Sequence, residues 1–301
     1  MVGNFEPELF PHLLNRLSDY VLINRQLAVD HLLRWSGDPE FSKLCVLHFL
    51  EIATLAKRER TDQTALNLIL EKIAKNQKGL RNTLTQQQGQ LPRVLLNFII
   101  EYQWIENSQL LELCKTAKDQ KVRGYWLADI ILKQPNHELM AELKQTDFRE
   151  VKYRLFDVLY RRNVLDNNDL VELWHSRFLS VMDYAYFALR QNNFDFALYF
   201  SRYGTQGLTQ SQLRIRAYQY VMIKADIKEF YKILNELTDQ RAVHALMCHA
   251  LRQQYIQMKD YLNFYQENGT NLEAYLLAKA RKSYAHALNL DELSHYLNLH
   301  K

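Results

Sequence analysis

Apolar residues return every three to four positions along most of this chain, the spacing of one face of an α-helix. The segment RVLLNFIIEY (93–102) sets Val94, Leu95, Phe98, Ile99 and Tyr102 on a single broad stripe. Two-residue alternation of the strand type is sustained nowhere, so the pattern predicts an all-α fold. Helix starts are marked too. Thr209 and Gln212 have capping-box spacing, and Asn168 is the expected N-cap of DLVELW. Breaks fall at SGDP (36–39), at QQQGQLP ending with Pro92, at QPNH (134–137) and at RYGTQG (202–207). The segment TLTQQQGQLP (83–92) is the expected joint. It separates an irregular N-terminal helical part, 1–84, from a repeat array over 93–301, both within one continuous solenoid.

The helical segments resemble one another. KVRGYWLADIIL, EVKYRLFDVLYR, SVMDYAYFALRQ, RIRAYQYVMIKA and AVHALMCHALRQ align on Val122, Val151, Val181, Ile215 and Val243, at intervals of 29, 30, 34 and 28 residues. Val94 and Ala65 extend the series upstream. Eight residues after the anchors from Val94 onward stand Tyr102, Ile130, Leu159, Leu189, Ile223 and Leu251. Directly after the anchors from Val122 onward stand Arg123, Lys152, Met182, Arg216 and His244, mostly basic. Second helices such as SQLLELCKTAK and DIKEFYKILNEL lie between them. Two amphipathic helices in a unit of about 30 residues is the organisation of an α-solenoid.

The pattern D-x-x-V-R-x-x-x-x-A-x-x-x-L is similar to the second helix of HEAT and HEAT-like repeats, and Asp119, Val122, Arg123, Ala128 and Leu132 carry it best. Lys152 and Arg216 substitute at the basic position, while Met182 and His244 depart from it. The resemblance covers about 65–300, and 8–57 is helical but out of register. It implies a right-handed α-solenoid of HEAT-like hairpins, about eight to ten pairs or partial pairs, with polar terminal helices as caps. A fold of this kind implies binding surfaces and no particular chemistry.

Composition narrows the picture. Hydrophobic residues at 48% and charged residues at 24% suit a folded chain and exclude extensive disorder. Only eight Gly and five Pro occur, with none of the latter after Pro135. Little backbone is therefore free to wrap a phosphate. A net charge of +4 over 301 residues permits an anionic partner without requiring one. Cys45, Cys114 and Cys248 are odd in number and far apart, which suits buried free thiols in a reducing compartment. The start MVGNFEPELFPHLL lacks the basic and apolar regions of a secretory signal. The most apolar run, LCVLHFLEIATLA (44–56), is too short to span a bilayer. A cytoplasmic protein is expected.

No P-loop, nucleophile elbow, H-E-x-x-H or paired C-x-x-C is present. No catalytic residue, cofactor or metal is expected. His244 and Cys248 share a helix face, with His249 beside them, but a zinc site needs more convergent ligands. A small buried thiol beside a partly exposed imidazole is the expectation there. His286, His295 and His300 offer no nucleophile-and-base spacing. Glu101 and Glu106 flank Trp104, and Asp291 with Glu292 marks a helix start. Trp126 and Asp129 resemble the Trp and Asp of HEAT-like DNA alkylation-repair glycosylases, which makes a nucleic-acid-binding or base-processing protein the main alternative. Arg154, Arg161 and Arg162, and likewise Lys279, Arg281 and Lys282, read as solvated helix ends.

The expected function is a non-catalytic scaffold or adaptor whose concave face holds a peptide, a helix or another protein. Its expected contact residues are Arg123, Tyr125, Lys152, Tyr153, Arg154, Tyr186, Arg190 and Arg216. A subunit of a trafficking or secretion assembly is a further alternative. The stretch SVMDYAYFALRQNNFDFALYFSRYG (180–204) has eight Tyr or Phe residues. Val181, Ala185, Ala188 and Leu189 should form one inner face, with Phe196, Ala197 and Phe200 facing it. Tyr186, Arg190 and Arg202 are left over.

Overall fold

The computed structural model describes residues 5–203 and 207–267. Among the described residues all regular structure is helical and no strand occurs. The chain divides into two compact units, Met1–Arg162 and Asn163–Lys301. In the first, a 3-10 turn at Pro7–Leu9 leads into α1 (Phe10–Arg16), α2 (Leu22–Trp35), α3 (Phe41–Leu47) and α4 (Phe49–Leu55). Then follow α5 (Gln63–Lys75), α6 (Gln77–Gln86), α7 (Gln90–Tyr102), α8 (Asn107–Thr116), α9 (Gln120–Lys133), α10 (Asn136–Gln145) and α11 (Arg149–Arg161). The second contains α12 (Asn167–Trp174), α13 (Leu179–Gln191), α14 (Phe196–Arg202), α15 (Gln210–Ile223), α16 (Ile227–Glu236), α17 (Gln240–Arg252) and α18 (Met258–Glu267). Residues 83–92 lie inside the first unit, where α6 and α7 pack on each other across a short turn. From α5 onward a longer helix alternates with a shorter one. The longer ones start at Gln63, Gln90, Gln120, Arg149, Leu179, Gln210 and Gln240, so successive starts are 27 to 31 residues apart. Consecutive helices pack together within each unit, α8 on α9 and α10 on α11 in the first, α12 on α13 and α15 on α16 in the second. Among the described residues no helix is long and apolar enough to cross a membrane.

Local chemistry explains where these helices begin and end. Side chains of Asp62, Asn76, Asp119, Asp195, Asp226 and Asp239 each accept an amide of the first turn. Thr209 and Gln212 form the reciprocal box expected of them. The cap of α12 is Asp166 rather than Asn168, because Asp166 closes a box with Asp169 that Asn168 cannot make. At the other ends, Gln103, Asn163, Asn193, Lys224 and Gln254 adopt φ of 52 to 54°. The amide after four of them reaches back to close the helix: Trp104 to Ile99 O (3.2 Å), Phe194 to Leu189 O (3.0 Å), Ala225 to Tyr220 O (3.0 Å) and Tyr255 to Ala250 O (2.9 Å). This is the Schellman closure, made here without glycine at about 1 to 2 kcal/mol per left-handed residue.

Val122, Val151, Val181 and Val243 are buried, as their anchor positions require. Two anchors are not. Val94 and Ile215 are half-buried, while Pro92 and Leu213 lie in the core instead. Both segments carry apolar residues two positions apart, and only the observed helix start decides which faces inward. Ala128 and Leu132 also point outward, Leu132 being 84% exposed, because α9 buries Val122, Arg123, Trp126, Leu127 and Ile130. In α14 no residue is buried. Ala197 is exposed and Phe196 and Phe200 are half-buried, so the facing stripe expected of them does not form.

Candidate functional site: an aromatic cleft in the second unit

Two left-handed turns shape the site. Asn193 ends α13 and sends the chain through Phe194 into α14, and Lys224 ends α15 ahead of α16. Between these turns lies a cleft of about 1090 Å³. Its walls are Tyr186 and Arg190 of α13, Phe194 in the turn, Phe196 and Phe200 of α14, and Tyr220 and Ile223 of α15. Asn193, Lys224 and Asp226 stand at its polar edge. The rings form two groups, with centroids 5.2 Å apart for Phe194–Phe196, 5.4 Å for Tyr186–Phe196 and 4.9 Å for Phe200–Tyr220, and Trp174 behind them touches both. Tilted and edge-to-face pairs are arrangements that the ring quadrupoles favour.

Behind the rings is a polar layer. Trp174 is fully buried, 5.2 Å from Phe196 and 5.7 Å from Phe200 between ring centroids. Arg216 is only 5% exposed, and its guanidinium carbon lies 4.8 Å from the Phe200 ring centre and 5.6 Å from that of Tyr199. Gln219 donates from Nε2 to the Trp174 carbonyl at 3.2 Å. Its Oε1, together with Arg216 Nη1 and Trp174 Nε1, is buried without a hydrogen-bond partner. His175 Nε2 is hydrogen-bonded to the Tyr199 hydroxyl. Burial, and then the nearby Arg216 charge, push the His175 pKa down to about 4, so the ring is neutral at pH 7. Burial also raises the Tyr199 pKa, with Arg216 opposing it.

Of the residues singled out from sequence, Tyr186 and Arg190 come together at this cleft, and Arg216 lies just behind it. Arg202, at the end of α14, is exposed. The other candidates belong to the first unit. Arg123 is no surface residue. It is 5% exposed, bonded to Glu150 and the Ala117 carbonyl, and 3.8 Å from the Phe148 ring centre. Arg216 departs from the surface expectation in the same way. Tyr125 is half-buried with its hydroxyl 3.1 Å from Asn107 Oδ1, Lys152 and Tyr153 are half-buried, and Arg154 is exposed, 3.7 Å from Asp157. Sequence reasoning missed Phe194, Phe196, Phe200, Tyr220 and Lys224. No sequence signal separates these rings from core aromatics, since α4 is also seven residues long and buries Phe49, Ile52, Ala53 and Leu55.

The remaining groups do not converge. Cys248 Sγ is 3.3 Å from His244 Nε2 and 3.7 Å from the Tyr261 hydroxyl, and His244 is buried rather than partly exposed. Among the described residues no three His, Cys, Asp or Glu side chains gather as a metal site would require. All three cysteines are free and buried, and burial pushes the Cys114 thiol up to about 12. Trp126 is buried beneath Lys115, and Asp129 is half-buried, 2.5 Å from Lys133. Glu106 caps α8. Arg161 pairs with Asp157, and Arg162 bonds Asn136 and the Ile131 carbonyl. His286, His295, His300, Asp291, Glu292, Lys279, Arg281 and Lys282 lie outside the described residues.

These features define an all-helical protein of packed consecutive helices with an aromatic cleft in its second unit. Comparison with known protein families, with curated proteins and with solved structures found no match.

Proposed function

We propose that this protein is a non-catalytic binding module of HEAT-like helical hairpins, whose second-unit cleft holds a segment of a partner protein. The HEAT-like assignment draws support from the spacing of the longer helices and from the inward-facing Asp119, Val122 and Arg123, and the right-handed sense is what that assignment implies. The cleft carries the functional reading. Its volume, about 1090 Å³, lies just above the roughly 300–1,000 Å³ of small-molecule sites, and the cleft is open to solvent, which suits a longer segment. Its walls are rings that offer large contact area at low entropic cost, and its edge is charged. A library of random peptides selected against the full chain tests the reading. Selected peptides should lose about tenfold or more in affinity when Phe196 and Phe200 are both changed to Ala. The melting temperature should fall somewhat, because both rings pack on the buried Trp174 and Phe200 covers Arg216. Affinities are therefore compared well below the variant's unfolding transition. Peptides that bind the double variant as well as the native chain would overturn the reading.

A further inference from the structure

Arg216 is a buried cation without a counter-ion. Among the described residues no carboxylate lies in ion-pairing reach of it, and Nη1 has no acceptor. Enclosing an uncompensated charge is costly, which is why buried guanidiniums are ordinarily paired. The Tyr199 and Phe200 rings offset part of that cost through their π faces, and the Tyr199 side chain also hydrogen-bonds the guanidinium, but Nη1 is left without an acceptor and no carboxylate is supplied. Trp174 Nε1, a second donor, and Gln219 Oε1 are orphaned in the same layer. A bridging water could satisfy Nη1 and Oε1, but it would leave the charge uncompensated.

The layer adjoins the cleft, because Phe200 and Tyr220 form both the cleft wall and the surroundings of Arg216. The wall element is weakly held, since α14 carries Tyr199 and Phe200 yet buries none of its residues. The net charge at the edge has the same sign. Arg190 and Lys224 have no ion-pair partner among the described residues, and the one acid, Asp226, is engaged in capping α16 at 2.9 Å from the Lys228 amide. The C-terminal ends of α13 and α15 oppose an anion here. Each carries at most about half an elementary charge, and together with the Asp226 carboxylate they fall short of the three cations Arg190, Lys224 and Arg216.

We infer that the cleft receives an acidic peptide segment, apolar side chains lying on its rings and one carboxylate passing beside Phe200 to become the counter-ion of Arg216. The planar guanidinium suits a carboxylate, and the Trp174 indole N–H supplies a further donor. This inference rests on the reading of the cleft as a binding site and specifies what it binds.

The test is a nuclear magnetic resonance titration of the full chain with phenylacetate and with phenylacetamide, which share a shape and differ in charge. Phenylacetate should bind at least about tenfold more tightly and shift the Trp174 indole proton. In Arg216→Met that preference should vanish while phenylacetamide binds as before. The melting temperature of the variant should equal or exceed that of the native chain, since an uncompensated charge has been removed. A variant that unfolds would give Arg216 a structural role and overturn the inference. Equal binding of both probes to the native chain would overturn the carboxylate inference and leave the cleft as an apolar binding site. If neither probe shifts cleft resonances up to its solubility limit, the cleft reading falls as well.

Discussion

Arg123 in the first unit and Arg216 in the second are the same residue at the same exposure, 5%, and both rest on aromatic rings. Their polar surroundings differ in counter-ion and in acceptors. Arg123 sends Nε to Glu150 at 2.7 Å, Nη2 to the same carboxylate and Nη1 to the Ala117 carbonyl. Arg216 has no such acceptor for Nη1. The first arrangement repeats along its unit. Arg93, in the first turn of α7, meets Asp119 at the start of α9, and Arg123, in the first turn of α9, meets Glu150 at the start of α11. A cation near the start of one longer helix is thus held by an acid at the start of the next. Arg216 sits deeper in α15, and the acid that opens α17, Asp239, is engaged with the Arg241 amide. Burial therefore does not separate a structural arginine from one available to a ligand. The acceptor inventory around it does.

The largest expected effect comes from breaking the paired case. Glu150→Ala leaves Arg123 buried without its carboxylate, which for an enclosed pair costs about 3–5 kcal/mol. The Glu150 side chain is 35% exposed, so water replaces part of what is lost, and about 2–3 kcal/mol is expected from denaturant unfolding. A loss below about 0.5 kcal/mol would mean that the paired and unpaired arginines are energetically alike.

Asp119→Asn comes next, because it keeps the helix cap and removes only the charge. Burial alone would raise the Asp119 carboxyl, but Arg93 and the amides of Gly89, Val122 and Lys121 outweigh it and hold the pKa at about 2. The folded value lies below the unfolded one of about 3.9, so the stabilisation is complete above that pH and lost as pH falls towards 2. The substitution should cost about 2 kcal/mol at pH 7 and remove that part of the acid sensitivity. Parallel stability curves for native and variant chains between pH 5 and pH 2 would deny Asp119 this role.

Arg216→Met should move the other way, by about 1 kcal/mol towards greater stability, as removal of a desolvated charge commonly does. The sign is what matters. Destabilisation as large as that of Glu150→Ala would erase the contrast between the two arginines.

The contrast also shows what could be read from the chain. Helix positions and the roughly 30-residue spacing were legible because they depend on local periodicity and caps, as at Thr209 and Gln212. The register of Val94 and Ile215 was not, because two apolar residues two apart are both plausible anchors until the helix start is fixed. Arg123 and Arg216 look alike in sequence, each one residue after an anchor, since their difference is set by an acid 27 residues away in one case and by none in the other. The cleft was half legible. Tyr186 and Arg190 stood out as unassigned, but Phe196 and Phe200 were placed in the core. Their half-burial depends on which helices flank α14, because α4, of the same seven-residue length, buries four of its residues.

The smallest expected effect lies at the surface. Arg154 is 3.7 Å from Asp157, with its side chain 61% exposed, and Asp157 has a shorter partner in Arg161 at 2.9 Å. Removing Arg154 leaves that carboxylate paired and strands no buried charge. Exposed pairs of this kind contribute about 0–1 kcal/mol, and this one shares its acid, so Arg154→Ala should fall within about 0.5 kcal/mol of the native chain in denaturant unfolding. It should also leave peptide binding at the cleft unchanged. A stability loss above about 1 kcal/mol would mean that solvent-exposed charge in the first unit does what is assigned here to the half-buried Arg93–Asp119 and Arg123–Glu150 pairs.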